Sequence, residues 1–150
     1  MKNFINIYIL LTVLSFININ VNCKPRSNKD EWFVKRYKPE YLKKGDGKNF
    51  PKIGDNVQIL FAYTHAQTDK DLFTYWDKEK PFVQEVGISN FIKCMDDTIL
   101  RMSKGEKIRI FCSYEFGYGP TGNEELGIEQ VQDFYVEIKL VGIIPKKKEL

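Results

Sequence analysis

Tyr114-Glu-Phe-Gly-Tyr-Gly-Pro-Thr-Gly122 is the stretch on which the reading of this chain turns. It reads as a loop, and within it Tyr118 stands between two glycines. A tyrosine so placed is poor core material, and its hydroxyl is best explained by a hydrogen-bond partner.

Working outward, Phe134, Val136, Ile138 and Leu140 alternate with Tyr135, Glu137 and Lys139, the cleanest strand pattern in the chain. On the other side Ile108, Ile110 and Cys112 alternate with Lys107, Arg109 and Phe111. Val57, Ile59, Phe61 and Tyr63 alternate with Gln58 and Ala62, and Phe82 to Val86, after Pro81, makes a weaker strand. Glu31-Trp-Phe-Val-Lys-Arg-Tyr37 is short, aromatic and bounded by Pro39, so it reads as a first strand. Lys43 to Asn49 reads as a turn built on Gly45, Asp46 and Gly47. Phe91, Ile92, Met95, Ile99 and Met102 instead recur at helical spacing. They predict one short amphipathic helix between Ser89 as N-cap and Gly105 as stop. About five strands and one helix imply an α+β fold, a helix laid on one face of an antiparallel sheet.

Composition agrees with one packed domain. Of 150 residues 43% are hydrophobic and 14% aromatic, and the 23 basic and 20 acidic residues are interleaved. Apart from Lys146-Lys-Lys148 no basic stripe points to nucleic acid. The chain starts with Lys2, an almost unbroken apolar run from Phe4 to Ile17, and a more polar exit with Val21 and Cys23. This is the pattern of a cleaved signal peptide over residues 1–23, and the apolar run is shorter than the ~20 residues a spanning helix needs, which favours cleavage over an uncleaved anchor. The final Lys147-Lys-Glu-Leu150 is one residue from the Lys-Asp-Glu-Leu address of the endoplasmic reticulum. Together the two ends predict the lumen of the endoplasmic reticulum, with secretion as the alternative.

The segments from Gly45 onward, in their order, resemble the FKBP family of macrolide-binding prolyl isomerases. Gly45-Asp-Gly-Lys-Asn-Phe-Pro-Lys-Ile-Gly54, Lys80-Pro-Phe82 with Gly87, and Met102-Ser-Lys-Gly-Glu-Lys-Ile-Arg109 are similar to that family. So are Glu115-Phe-Gly-Tyr-Gly119 and Phe134-Tyr-Val-Glu-Ile-Lys-Leu140. The resemblance covers residues 41–143, flanked by an N-terminal extension with the first strand (24–40) and a basic tail (144–150). It implies a sheet half-wrapped around the helix, with a proline-binding aromatic pocket between them. Carried over, Phe73, Thr74 and Tyr118 would be the catalytic set. Phe61, Phe82, Phe91, Ile92, Met95, Leu126 and Phe134 would bind substrate.

Such a resemblance also implies peptidyl-prolyl isomerase (rotamase) activity on proline-containing segments of client proteins, and a folding role. No cofactor, metal or nucleic acid is implied, nor a membrane once residues 1–23 are cleaved, and the chain is expected to be a monomer. Three positions depart from the family. Thr74 stands where the family usually has aspartate, Met95 where it commonly has tryptophan, and Phe61 where it has tyrosine. The rim loop Asn123 to Ile128 lacks the family's prolines and is acidic. These departures predict weakened isomerisation and poor macrolide binding, with a non-catalytic peptide-binding module or scaffold as the alternative function.

After cleavage two cysteines remain, Cys94 and Cys112, an even number suited to an oxidising compartment. On a helix Cys94 lies about 100° from the Ile92/Met95/Ile99 face, which favours two free buried thiols over a bridge. His65 falls in a variable loop and carries no assigned role. No paired Cys-x-x-Cys, no Gly-x-Gly-x-x-Gly and no Ser/His/Asp set supports metal, nucleotide or hydrolase chemistry.

Overall fold

Residues whose side chains alternate between core and solvent settle into strands, and the two longest alternating runs pair with each other. In the computed structural model, which describes residues 30–147, β2 (Asn56–His65) and β6 (Phe134–Ile144) lie antiparallel along nearly their whole lengths. β5 (Lys107–Cys112) pairs with the other edge of β6, and its residues alternate half-buried and buried without a break. β1 (Glu40–Lys43) extends the sheet beyond β5. β3 (Asp71–Tyr75) and β4 (Phe82–Glu85) share the remaining edge of β2, beside residues 61–64 and 56–59 respectively. The result is a six-stranded antiparallel sheet, ordered β1-β5-β6-β2-β3 with β4 also on β2.

Among the described residues two α-helices complete the fold, α1 (Glu31–Tyr37) and α2 (Lys93–Ile99). Inward side chains of β2, β5 and β6 pack with Met95, Ile99 and Met102 in one core. The proposed signal peptide, and the tail from Lys148 to Leu150, lie outside the described residues.

Three local readings are corrected. Glu31–Tyr37 is a helix and not a first strand. Phe33 and Tyr37 are both fully or nearly fully buried while the residues between them are exposed. A spacing of four fits one helical face and also every second residue of a strand, so so short a segment does not separate the two periods. Glu31 in the first turn and Lys35 and Arg36 in the last suit the helix dipole, and the helix ends at Lys38 with φ 45°.

The second correction shortens α2, which starts at Lys93 with Ile92 as N-cap and stops at Ile99. Ser89 is not its cap and takes φ 65°. The Asp96 carboxylate instead accepts from the Gly87 and Ser89 backbone N–H groups, the first at 2.8 Å, and pins the approach to the helix.

Third, Cys94 and Cys112 form a disulfide, their Cα atoms 5.9 Å apart. Helical phase made Cys94 look peripheral because only one face of α2 was expected to be buried. In fact α1 covers a second face: Tyr37 donates to Asp97 Oδ2 at 2.7 Å, and Arg101 reaches Asp30 at 3.3 Å. Cys94, three residues before Asp97, is fully buried and bonds to Cys112 at the end of β5.

Candidate functional site

Between the inner face of the β2–β3–β4 edge and α2 the core does not close. Phe61 and Tyr63 from β2, Phe73 and Tyr75 from β3, and Phe82 and Gln84 from β4 form one wall of a cavity of about 440 Å³. Asn90, Phe91, Ile92 and Met95 form the other, and Tyr118 and Leu126 come from the loops between β5 and β6. Each strand contributes residues two apart, because alternate side chains share a face.

Phe61 is the hub of the wall. Its ring centroid lies 5.4 Å from Tyr63, 5.8 Å from Phe73, 5.6 Å from Phe82 and 6.0 Å from Tyr75, with which it stacks. Phe91 continues the set at 6.2 Å from Phe82. These are favourable aromatic separations, so the walls are rigid without filling the space between them.

A pair of hydroxyls lies inside the largely apolar lining. The Tyr63 hydroxyl is 3.1 Å from the Tyr118 hydroxyl and 3.2 Å from Met95 Sδ, to which it can donate. Burial, first, pushes both phenols above the ordinary tyrosine range. Both therefore stay protonated at neutral pH, and a phenol is at once donor and acceptor. With two protons shared among Tyr63, Tyr118 and a weak sulfur acceptor, the pair can turn one O–H toward the cavity.

The loop that carries Tyr118 is fixed by its glycines. A Cβ at Gly117 would stand 2.8 Å from the Phe134 ring, so glycine lets the loop lie this close to β6 without displacing that ring. Phe134 lies under Tyr118, 5.9 Å between centroids, and is fully buried. In the rim turn Asn123 Oδ1 accepts from Leu126 N at 3.1 Å, which points Leu126 into the cavity while Glu124 and Glu125 stay exposed.

Of the residues singled out in sequence, Phe61, Phe73, Phe82, Phe91, Ile92, Met95, Tyr118 and Leu126 are brought together on this cavity. Thr74 is not: on β3 it pairs with Ala62 of β2, is exposed, and points away from the face used by Phe73 and Tyr75. Phe134 supports the cavity from beneath without lining it. Tyr63, Tyr75, Gln84 and Asn90 were missed. Tyr63 was within reach, since it shares the inward face of β2 with Phe61. The hydroxyl thought lost at Phe61 is thus supplied two residues further on. His65 takes no part, its Nδ1 accepting from the Gln67 N–H at 3.1 Å. Among the described residues no cluster of metal-ligating side chains occurs, and no helix is long and apolar enough to cross a membrane.

Comparison with known proteins speaks to the family and the fold. The family described as FKBP-type peptidyl-prolyl cis-trans isomerase matches residues 47–141. A peptidyl-prolyl cis-trans isomerase of Schizosaccharomyces pombe is 32% identical over 109 residues, which cover 72% of this chain and 95% of that protein. The FK506-binding protein 1A of Emericella nidulans is 40% identical over 78 residues, 52% of this chain and 71% of the relative. Among solved structures, the three FKBP domains of wheat FKBP73 superimpose with a TM-score of 0.66 at 23% identity, covering 72% of this chain and 46% of that one. The N-terminal domain of FKBP42 from Arabidopsis thaliana gives 0.63 at 16% identity, over 71% and 85% of the two chains. At these identities the structural likeness speaks for the fold.

Proposed function

This chain belongs to the FKBP-type peptidyl-prolyl cis-trans isomerase family, and on that premise we propose that it turns over X-Pro bonds by seating the proline ring in the aromatic cavity. The observation that carries this reading is the Tyr63–Tyr118 hydroxyl pair inside walls of Phe61, Phe73, Phe82 and Phe91. Rotation about X-Pro is slow because twisting the amide sacrifices its resonance, with a barrier near ~18–20 kcal/mol. A twisted amide is less polar than a planar one, so an apolar site that excludes water favours it. Tyr118 donates to a carbonyl of the bound segment while Tyr63 holds its oxygen, a contact tuned to the twisted form. Met95 closes the floor with an adaptable thioether. No acid, base or metal is needed.

The test is a protease-free isomerisation assay on an X-Pro peptide with the purified chain. Rates above buffer support the enzyme reading, and a rate equal to buffer rejects it. A second reading, a peptide-binding module of the same fold without turnover, is favoured by one feature: among the described residues no carboxylate lines the cavity. Peptide binding without acceleration would select it. The same absence, with Met95 as floor, underlies the expectation of weak macrolide binding, which a titration with tacrolimus checks.

The clients are proline-containing segments of proteins folding in the endoplasmic reticulum. Support comes from the apolar run Phe4–Ile17, the Lys-Lys-Glu-Leu sequence and the Cys94–Cys112 bridge, a bond that persists in oxidising compartments. Fractionation of cells making the full chain tests the location, and a cytosolic protein with reduced cysteines would reject it.

A further inference from the structure

In the segment ahead of the family match, residues 30–46, helix α1 packs against the loop that carries Tyr118. We propose that helix α1 is a positioning element for Tyr118 and acts through Phe116. Phe116 lies two residues before Tyr118, in the single turn Tyr114–Phe116. The Tyr37 ring meets it edge-on at 6.1 Å, and the Arg36 guanidinium lies 4.4 Å over its face. The Phe116 ring is thereby held between an aromatic edge and a cation, both supplied by α1.

The helix is itself anchored on both sides. Tyr37 is fully buried and its hydroxyl binds Asp97 on α2, the helix that carries the cavity floor. Beyond Lys38 the chain enters β1, where Glu40 pairs with Arg109 of β5. α1 therefore bridges the helix bearing Met95 and the loop bearing Tyr118, two sides of one cavity. A hydroxyl that must stay about 3.1 Å from Tyr63 while it meets a substrate carbonyl depends on such support, because loosely held groups lose catalytic effect steeply.

The inference rests on the isomerase reading for its kinetic test and is independent of it for its dynamic one. Arg36→Ala leaves the buried Phe33 and Tyr37 in place, so the fold is retained. It is expected to lower kcat/KM about threefold in the otherwise intact chain, and to have little effect in a Tyr118→Phe background, the non-additivity of coupled positions. The same factor in both backgrounds would overturn the proposal, since a general loss of stability acts whether or not the hydroxyl is present. In hydrogen exchange, Arg36→Ala should speed the amide of Gly117, which donates to the Ser113 and Tyr114 carbonyls, and leave those of β6 unchanged. Unchanged exchange at the loop also overturns it. A wild-type chain without turnover would reject the isomerase reading alone, and the exchange result would then decide this one.

Discussion

The two faces of the sheet use aromatic rings in opposite ways. On the outer face each large ring carries a cation: Lys107 lies 5.0 Å from Trp76, Arg109 4.4 Å from Tyr135, and Lys38 5.2 Å from Phe111. The rings around α1 are treated alike, with Arg36 and Arg101 over Trp32. On the inner face, among the described residues, no lysine or arginine stacks on Phe61, Tyr63, Phe73, Tyr75, Phe82, Phe91 or Tyr118. A capped ring has its π face satisfied and finishes a surface. An uncapped ring beside an open volume has its face available to something else. Aromatic content alone does not mark a site; what covers the rings does.

The comparison can be broken or sharpened at several points. The inner rings stay apart because the framework behind them is rigid, and the bridge beside the floor is its strongest tie. Replacing Cys94 and Cys112 together by alanine opens an 18-residue separation, and should cost about 3 kcal/mol in a denaturant titration on the chain-entropy view. If the cavity depends on that tie, peptide affinity falls in parallel.

Next in size, Tyr118→Phe keeps the ring and removes the hydroxyl. It should lower kcat/KM about tenfold, or ~1.4 kcal/mol, with a much smaller change in stability. An unchanged rate would mean that the apolar walls suffice. The outer face should behave otherwise: Lys107→Ala uncaps Trp76 and breaks the ion pair to Glu137, costing under about 1 kcal/mol of stability and nothing in turnover. Thr74→Asp, at a site that family resemblance placed in the cavity, should also leave turnover unchanged because the side chain faces solvent.

The smallest effect is in pH. Asp96 is buried, which raises its carboxyl pKa against the lowering effect of the Gly87 and Ser89 N–H groups. Its folded form then holds a proton more tightly than its unfolded form does. The stability it contributes is full below the unfolded value near ~4 and is lost as pH rises through the folded value. Asp46, exposed and accepting from Lys48, Asn49 and the Asn49 side chain, is held down to about 2. Its contribution is present above the unfolded value and lost as pH falls toward 2. Opposite slopes from Asp96→Asn and Asp46→Asn in a pH–stability series check both signs.

Much of this was legible in the sequence wherever one face of an element is covered and the other is wet. β2, β5 and β6 show clean alternation because each runs through the middle of the sheet with one side on the core. β3 was not recognised because Asp71–Tyr75 is half-buried on both faces at an edge, with Leu72 and Tyr75 equally partial. α1 was misread because Phe33 and Tyr37 satisfy two periods at once. At the site, resemblance located most of the lining but assigned Thr74 by its neighbour in sequence, while the pleat sends it the other way. The bridge was undervalued because a second helix lay across α2, and nothing local to Cys94 announces a helix from residues 31–37.

Gly117 leaves a mark that comparative sequence data can read. With a Cβ there only 2.8 Å from the Phe134 ring, the two positions are not free to vary independently. In chains of this fold a side chain at the position of Gly117 should travel with a smaller residue at that of Phe134. Where the glycine is replaced and the ring kept, either the Phe134 ring turns aside or the loop shifts off β6, and a shift of the loop lengthens the reach of Tyr118 to the second strand.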